Sequence, residues 1–403
     1  MKPLLDQPVD RTPIGLYVHL PFCAKKCDFC YFLSYIGQPA RVVQRYIEAV
    51  ARELSLYADT PAVSGRPVSF AYFGGGTPST LSPKQIRQLM AGLRRNLAWD
   101  DVCEITFECA PNSVHRPLLE ALREVGVTRL SMGVQSFDDE VLRLNGRTHL
   151  SADVHRAYQL IRDVGFPCVN LDLMTGMLGE TEENWRDTVQ ELRRLSPDRV
   201  TIYQTEIPYH TQLARALRGG QITGGLVSWD VKRARLNDAF EQLTADGYTV
   251  VSAYAVAKDP VRHGFQYCEH LWRGGDMLGL GVAAFSYLGG AHFQNMEDLR
   301  GYCERVETGE LPVHRAIGLG QREQLVREFI LQLKWGAVDT APFRRKFGVE
   351  LSEAFAGPLR DLSAQGLLNC DNDRVALTRR GLLQADRLLP LFYDAPYRKV
   401  RYV

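Results

Sequence analysis

Short apolar runs with strand-like alternation recur along the N-terminal part of the chain, and each is followed by a stretch whose apolar residues recur at helical spacing. Residues 15–20 (GLYVHL), 68–73 (VSFAYF), 104–109 (EITFEC), 129–135 (RLSMGVQ), 168–176 (CVNLDLMTG) and 199–207 (RVTIYQTEI) read as strands. Between them, residues 40–57, 83 onward, 116–126, 152–165 and 181–195 read as helices. Ser82, Pro83 and Gln85 supply an N-cap, a proline at the first helical position and a capping-box partner, and Gly126 closes the third helix. Repeated β-then-α units of this length predict an α/β fold with a parallel sheet wound by helices. A partial (β/α)6 TIM-like barrel fits six such units better than a flat sheet, and its chemistry belongs at the C-terminal ends of the strands. There the pattern places a cysteine-rich loop after the first strand and a glycine triplet after the second. Glu108, Gln135, Asp172, Tyr203 and Gln204 fall at or near the ends of the next four.

Beyond residue 246 the alternation weakens. Residues 247–295 are glycine-rich with short β-like runs, expected to extend the sheet and line its cavity. From about residue 320 helical spacing returns, with a short strand RVALT before a last helix, which predicts a helical, winged-helix-like module. The expected division is a core barrel over 1–246, a sheet extension over 247–315 and the C-terminal module over 316–403. That last part carries 14 Lys and Arg against 10 Asp and Glu, too mild an excess to argue for DNA binding. A lid or docking role suits it better.

Composition narrows the class further. A net charge of +1 gives no reason to expect a polyanionic partner. No apolar run reaches the length of a membrane span, and residues 1–13 hold no apolar leader core, so a cytoplasmic location is expected. In that compartment nine cysteines are not a disulfide framework. Cys103, Cys109, Cys168, Cys268, Cys303 and Cys370 are scattered and read mostly as small buried residues.

Cys23, Cys27 and Cys30 are different: three thiols fall within eight residues, CAKKCDFC. Three thiolates are one short of a closed tetrahedral zinc site or of a ligand for every iron of a [4Fe–4S] cluster. A C-x-x-x-C-x-x-C loop wraps three corners of a cubane and leaves the fourth iron open. An open iron can chelate the amino and carboxylate groups of S-adenosylmethionine (SAM), and one electron then cleaves the sulfonium to methionine and a 5′-deoxyadenosyl radical. The alternative is zinc, with His19 as a fourth ligand. Gly74-Gly75-Gly76-Thr77-Pro78 lets backbone approach a ligand closely beside that loop, and no Gly-Lys-Ser/Thr follows to make it a P-loop.

The segments YVHLPFCAKKCDFC, YFGGGTPS, ITFECAPN, RLSMGVQSFDDEVLRLNGR, NLDLMTG and DMLGLGVAAFSY together resemble the radical SAM superfamily. The resemblance is to the branch of oxygen-independent coproporphyrinogen III oxidase, its related haem chaperone and the class C radical SAM methyltransferases. It implies a [4Fe–4S] cluster on Cys23, Cys27 and Cys30, and cofactor contacts from Phe29, Gly74, Gly75, Gly76, Thr77, Glu108, Gln135, Arg147 and Asp172. It also implies catalytic roles for Tyr17 and Glu108, and a flavodoxin- or ferredoxin-type electron donor. Two departures bear on the reaction. The oxidases carry a further cysteine where this chain has Phe32. The chaperone's His-Asn haem-binding pair is replaced within Tyr267-Cys268-Glu269-His270-Leu271-Trp272. By elimination the sequence favours class C methyl transfer with two SAM molecules, onto an sp² carbon of a small-molecule or peptide-borne aromatic substrate. Tyr31, Phe32, Tyr35, Tyr203 and Tyr209 are its candidate pocket. The alternatives are tetrapyrrole chemistry of the oxidase kind and haem carriage.

Overall fold

The computed structural model describes residues 5–6, 12–222 and 224–398. Most of the stretch read for a leader lies outside the described residues, as do 399–403. The six expected strands form as β1 (Ile14–Leu20), β2 (Val68–Gly75), β3 (Glu104–Cys109), β4 (Arg129–Gln135), β5 (Cys168–Thr175) and β6 (Arg199–Gln204). They pair in sequence order and all in parallel. The sixth strand stops three residues earlier than the alternation suggests. Thr205 N makes the last bond of the ladder, to Thr175 O (2.8 Å), and Pro208 just beyond has no N–H to donate.

Alternation decides which side chains meet the helices. Ile14, Leu16, Val18 and Leu20 of β1 join one apolar core with Tyr46, Val50 and Leu54 of the helix Ala40–Ala58. Leu130, Met132 and Val134 of β4, and Val169, Leu171 and Leu173 of β5, belong to the same core. Gly15, Tyr17 and His19, and their counterparts on the other strands, are left for the barrel interior. The caps read from sequence are present: Ser82 Oγ accepts from Gln85 N at 3.3 Å while Ser82 N donates to Gln85 Oε1 at 2.9 Å.

The glycine-rich region extends the sheet at both edges. β7 (Thr249–Ser252) and β8 (Ala255–Ala257) lie outside β6. β9 (Met277–Leu280) adds in parallel to β1, followed by antiparallel β10 (Phe285–Leu288), β11 (Ala291–Asn295) and β12 (Val313–Gly318). A second core runs from Leu325 to Phe392 and gathers helices around a three-stranded sheet, Ala337–Asp339, Arg374–Leu377 and Leu368–Cys370. This is the helix-and-small-wing unit expected of the C-terminal part.

One buried polar network fixes the mouth of the barrel. Glu53, fully buried in the helix Ala40–Ala58, accepts from Gly281 N (2.8 Å), Asn295 Nδ2 (2.6 Å) and Tyr302 OH (2.5 Å). Tyr46 OH donates to His19 O (2.7 Å) and accepts from Val282 N (3.0 Å). The end of β1 and the turn after β9 are thereby tied to one helix. Burial pushes the Glu53 carboxyl up to about 7 despite these three donors. The folded state then binds a proton that the unfolded chain has already released, so this group's contribution to stability falls as pH rises from about 4.5 to about 7. Glu53→Gln lacks that titration. Its stability deficit relative to wild type is expected to shrink between pH 5 and pH 7.5, read from urea midpoints at the two pH values.

Candidate functional site

The loop after β1 is closed by a parallel bridge between Phe22–Cys23 and Tyr35–Ile36. Its three cysteines are half-buried, and Cys30 N donates to Cys27 O at 3.1 Å. Other parts of the barrel mouth hold the loop in place. Thr77 Oγ1 donates to Cys23 Sγ (3.4 Å) and Arg147 Nη1 to Cys27 Sγ (3.3 Å). Asp28 is bracketed by Asn145 O (3.3 Å) and Leu213 N (2.8 Å). Burial raises the thiol pKa of Cys23 and Cys30, and Cys27 adds to both shifts, so the three thiols lie within electrostatic reach of one another. His19 does not join them: its ring nitrogens lie 3.1 Å from Tyr17 OH and 3.4 Å from Leu33 O. Among the described residues no three His, Cys, Asp or Glu side chains converge on a position for a single metal ion. The zinc alternative therefore finds no fourth ligand in His19.

The glycine triplet packs directly against this loop. Gly76 N donates to Leu20 O (2.9 Å) and Thr77 N to Phe22 O (2.8 Å), so the end of β2 is stitched to the residues leading into Cys23. A Cβ on Gly76 would lie 2.7 Å from Phe22 O. Gly75 has φ +115°, and a Cβ there would meet the His19 ring at 2.5 Å. Only glycine permits this approach.

Strand register arranges the inward residues in layers. Tyr17 lies opposite Tyr72, and His19 opposite Gly74. Glu108 faces Ser131, and Gly133 faces Asp172. Glu108 accepts from Tyr72 OH (2.5 Å) and Gly75 N (3.1 Å). Burial, with the Asp172 charge adding, lifts its carboxyl to about 7 against those two donors. Asp172 accepts from Ser131 Oγ and Asn170 Nδ2, both at 2.9 Å, and burial raises it too. Thr201 Oγ1 extends the chain to Asn170 Oδ1 at 3.0 Å. Tyr17, Tyr72 and Tyr267 form an aromatic wall, with ring centroids 5.9 Å apart between the first two and 5.0 Å between the last two. Gln135 sits at φ +70°, and its Oε1 is buried without a partner. Arg147 Nη2 donates to Gly133 O at 2.6 Å, which fixes the guanidinium between the fourth strand and Cys27.

All the singled-out residues except Phe29 thus meet at one end of the barrel; Phe29 is half-buried in the turn between Cys27 and Cys30. The aromatic set separates. Tyr31 and Phe32 stack at 4.4 Å and stay 50% and 45% exposed, and Tyr203 and Tyr209 are exposed as well. Tyr35 instead donates to Glu297 O and accepts from Leu299 N, so it is an anchor for the helix Leu299–Glu307. His270 Nε2 is bonded to Asp276 O at 2.8 Å and its ring packs on Phe70, which makes it a packing residue. Of the scattered cysteines, Cys109, Cys168 and Cys303 are buried, Cys268 is intermediate, and Cys103 and Cys370 are exposed. Tyr72, Ser131 and Asn170 were not singled out in the sequence, and Tyr267 was read only as part of the stretch that replaces the haem-binding pair. The signal for Tyr72 was its place two residues before Gly74, on the inward side of the same strand.

A parallel barrel with a cysteine loop after its first strand and a glycine turn after its second defines a class of cofactor-dependent radical proteins, and comparison with known proteins agrees. Residues 17–192 match the Radical SAM superfamily model and residues 319–383 the HemN C-terminal domain. The chain is 29% identical over 390 residues to oxygen-independent coproporphyrinogen III oxidase of Escherichia coli, covering 93% of this chain and 84% of that one. It is 32% identical over 280 residues to heme chaperone HemW of Haemophilus influenzae, covering 68% and 70%. The solved structure of the E. coli oxidase HemN, a radical SAM enzyme, superposes with TM-score 0.82 at 29% identity over 94% of this chain and 90% of that one. The chain belongs to the radical SAM superfamily, in the branch of HemN-like coproporphyrinogen oxidases and HemW haem chaperones. These relatives favour the tetrapyrrole-linked alternatives, and the preference for methyl transfer drawn from Phe32 and residues 267–272 finds no support among them. No helix of the described residues is long and apolar enough to cross a membrane.

Proposed function

We propose that this chain is a radical SAM enzyme acting on a tetrapyrrole-class substrate, in the manner of an oxygen-independent coproporphyrinogen oxidase or a related tetrapyrrole-modifying enzyme. The observation that carries this reading is the match to the oxidase over 93% of this chain and 84% of that one, which spans both the barrel and the C-terminal unit. The donor set suits the cofactors of the family: three neighbouring thiols on one loop, a glycine cradle beside them, and the partnerless buried Gln135 Oε1. Cys23, Cys27 and Cys30 would hold a [4Fe–4S] cluster, and Gly74–Thr77, Gln135, Arg147 and Asp172 would hold SAM. When bound, the pair supplies one-electron cleavage of the sulfonium and hydrogen abstraction.

The chain's own residues do the rest. Arg147 donates to Cys27 Sγ and so helps hold the middle thiol of the loop in place. Tyr72 holds the Glu108 carboxyl toward the interior, where a pKa about 7 lets it take or give a proton near neutral pH. Tyr17 stacks on Tyr72, and this wall beside Glu108 suits a second sulfonium cation. That supports carrying two SAM molecules into the proposal. Phe29, next to Cys30, would cover one side of the site, and Lys25 and Lys26 beside Cys27 suit an acidic flavodoxin or ferredoxin as electron donor.

Anaerobic incubation of the reconstituted protein with dithionite, SAM and coproporphyrinogen III tests the reading. The expected products are 5′-deoxyadenosine and a decarboxylated or otherwise altered tetrapyrrole. Accumulation of S-adenosylhomocysteine with an untouched tetrapyrrole would return the reaction to methyl transfer. Tight haem with neither product would make the chain a carrier.

A further inference from the structure

The inner face of the barrel does not stop at β1. Register carries it across β9 to β12 in one row. Tyr17 pairs with Gly279, Phe285 pairs with Gln294, and Gln294 pairs with Arg315. Gly279 meets Phe285 across the remaining gap, because a Cβ on it would lie 2.2 Å from Phe285 O. Residues paired across neighbouring strands share a face, so Phe285 and Arg315 stand on the same side of the sheet as Tyr17. In the row below, Tyr287 and His292 are covered, while Ile317 at its end is 53% exposed. There Arg327 lies over the Tyr287 ring at 3.7 Å and donates to His292 Nε2 at 3.0 Å. The upper row is open: Phe285 is 53% exposed and Arg315 is exposed.

Arg315 is oriented without being neutralised. Its Nε donates to Gln294 Oε1 at 2.7 Å, and Gln294, itself buried, donates in turn to Ala283 O at 3.2 Å. Among the described residues no carboxylate forms an ion pair with it. A guanidinium aimed by a neutral amide, two strands from an exposed aromatic ring on the same face, is arranged to receive an acid-bearing apolar ligand. Four strand steps separate Tyr17 from Arg315, about 19 Å at the usual spacing. A one-ring substrate reacting near Tyr17 does not reach that far, whereas a multi-ring substrate with carboxylate arms does.

We infer that the β9–β12 face is the substrate platform, on which Phe285 packs against the macrocycle and Arg315 pairs with a peripheral carboxylate. This rests on the tetrapyrrole reading and adds to it the orientation of the substrate and a specificity-determining residue. The test is fluorescence titration of the full-length protein with coproporphyrin III, the oxidised tetra-acid, and with its tetramethyl ester. Arg315→Gln is expected to weaken binding of the acid about tenfold or more and to leave the ester unchanged. Arg315→Lys is expected to recover part of the loss, and Phe285→Ala to weaken both ligands. Unchanged acid affinity in Arg315→Gln overturns the platform while leaving the tetrapyrrole reading in place. An equal loss for acid and ester also overturns it, since the residue would then be merely structural. If the wild-type protein binds neither ligand, the tetrapyrrole reading falls and takes the platform with it.

Discussion

Replacing Cys27 with alanine is expected to reduce the iron and acid-labile sulfide of anaerobically reconstituted protein by roughly an order of magnitude, with loss of the thiolate-to-iron absorbance. Cys27 is the middle thiol of the loop and the one that receives Arg147 Nη1 at 3.3 Å. Two thiolates are left without it; the Arg147 guanidinium has no lone pair to offer iron, and the hard Thr77 hydroxyl is a poor substitute for a soft thiolate. The fold is expected to survive, because Cys27 is half-buried and lies outside both apolar cores. Far-ultraviolet circular dichroism then stays at the wild-type value while the iron is lost. Cys103→Ser is the matched control: that thiol is exposed, remote from the loop in sequence and bonded to Ser69 O at 2.9 Å, and its removal is expected to leave iron content unchanged.

Gly75→Val is expected to cost roughly 3–5 kcal/mol, from backbone strain and overpacking together. At φ +115° an L-residue is strained whatever the space, and the added Cβ would overlap the His19 ring at 2.5 Å. His19 has little freedom to retreat, since it is buried between Tyr17 and Leu33. The same change pulls Gly75 N from Glu108 Oε2, now 3.1 Å away, so site and stability fail together. Calorimetry should show a melting temperature lower by several degrees. Gly165→Ala makes the comparison: φ is +80° at that helix end but nothing lies within 4 Å of a new Cβ, so the loss is expected to be about 1 kcal/mol.

The strands were legible because each alternates between a helix-facing apolar set and an inward set. Ile14, Leu16, Val18 and Leu20 announce β1 without help from any tertiary contact. The site was legible for the same reason: Glu108, Gln135 and Asp172 are polar residues at the ends of apolar strands. Tyr72 escaped notice because an aromatic residue inside an apolar run reads as core; its partner Glu108 is 36 residues away. Glu53 was hidden by its helix, where a glutamate normally faces water, and only the three donors from Gly281, Asn295 and Tyr302 explain its burial. The split of 247–295 between the two edges of the sheet depends on strand pairing, to which short glycine-rich runs give no local clue. Tyr35 was grouped with Tyr31, Phe32, Tyr203 and Tyr209 as an aromatic pocket, yet the bridge to Phe22–Cys23 turns it toward the helix Leu299–Glu307. The choice among reactions rested on Phe32 and residues 267–272, and such local departures weigh less than a match over 93% of the chain.

Electron paramagnetic resonance of the dithionite-reduced protein, recorded with and without SAM, tests most directly whether three thiols leave one iron for the cofactor. A cluster bound by Cys23, Cys27 and Cys30 alone should give a signal whose g values shift when SAM is added, and Cys27→Ala should give none. A signal indifferent to saturating SAM, or protein that carries zinc with no reducible cluster, would contradict the account.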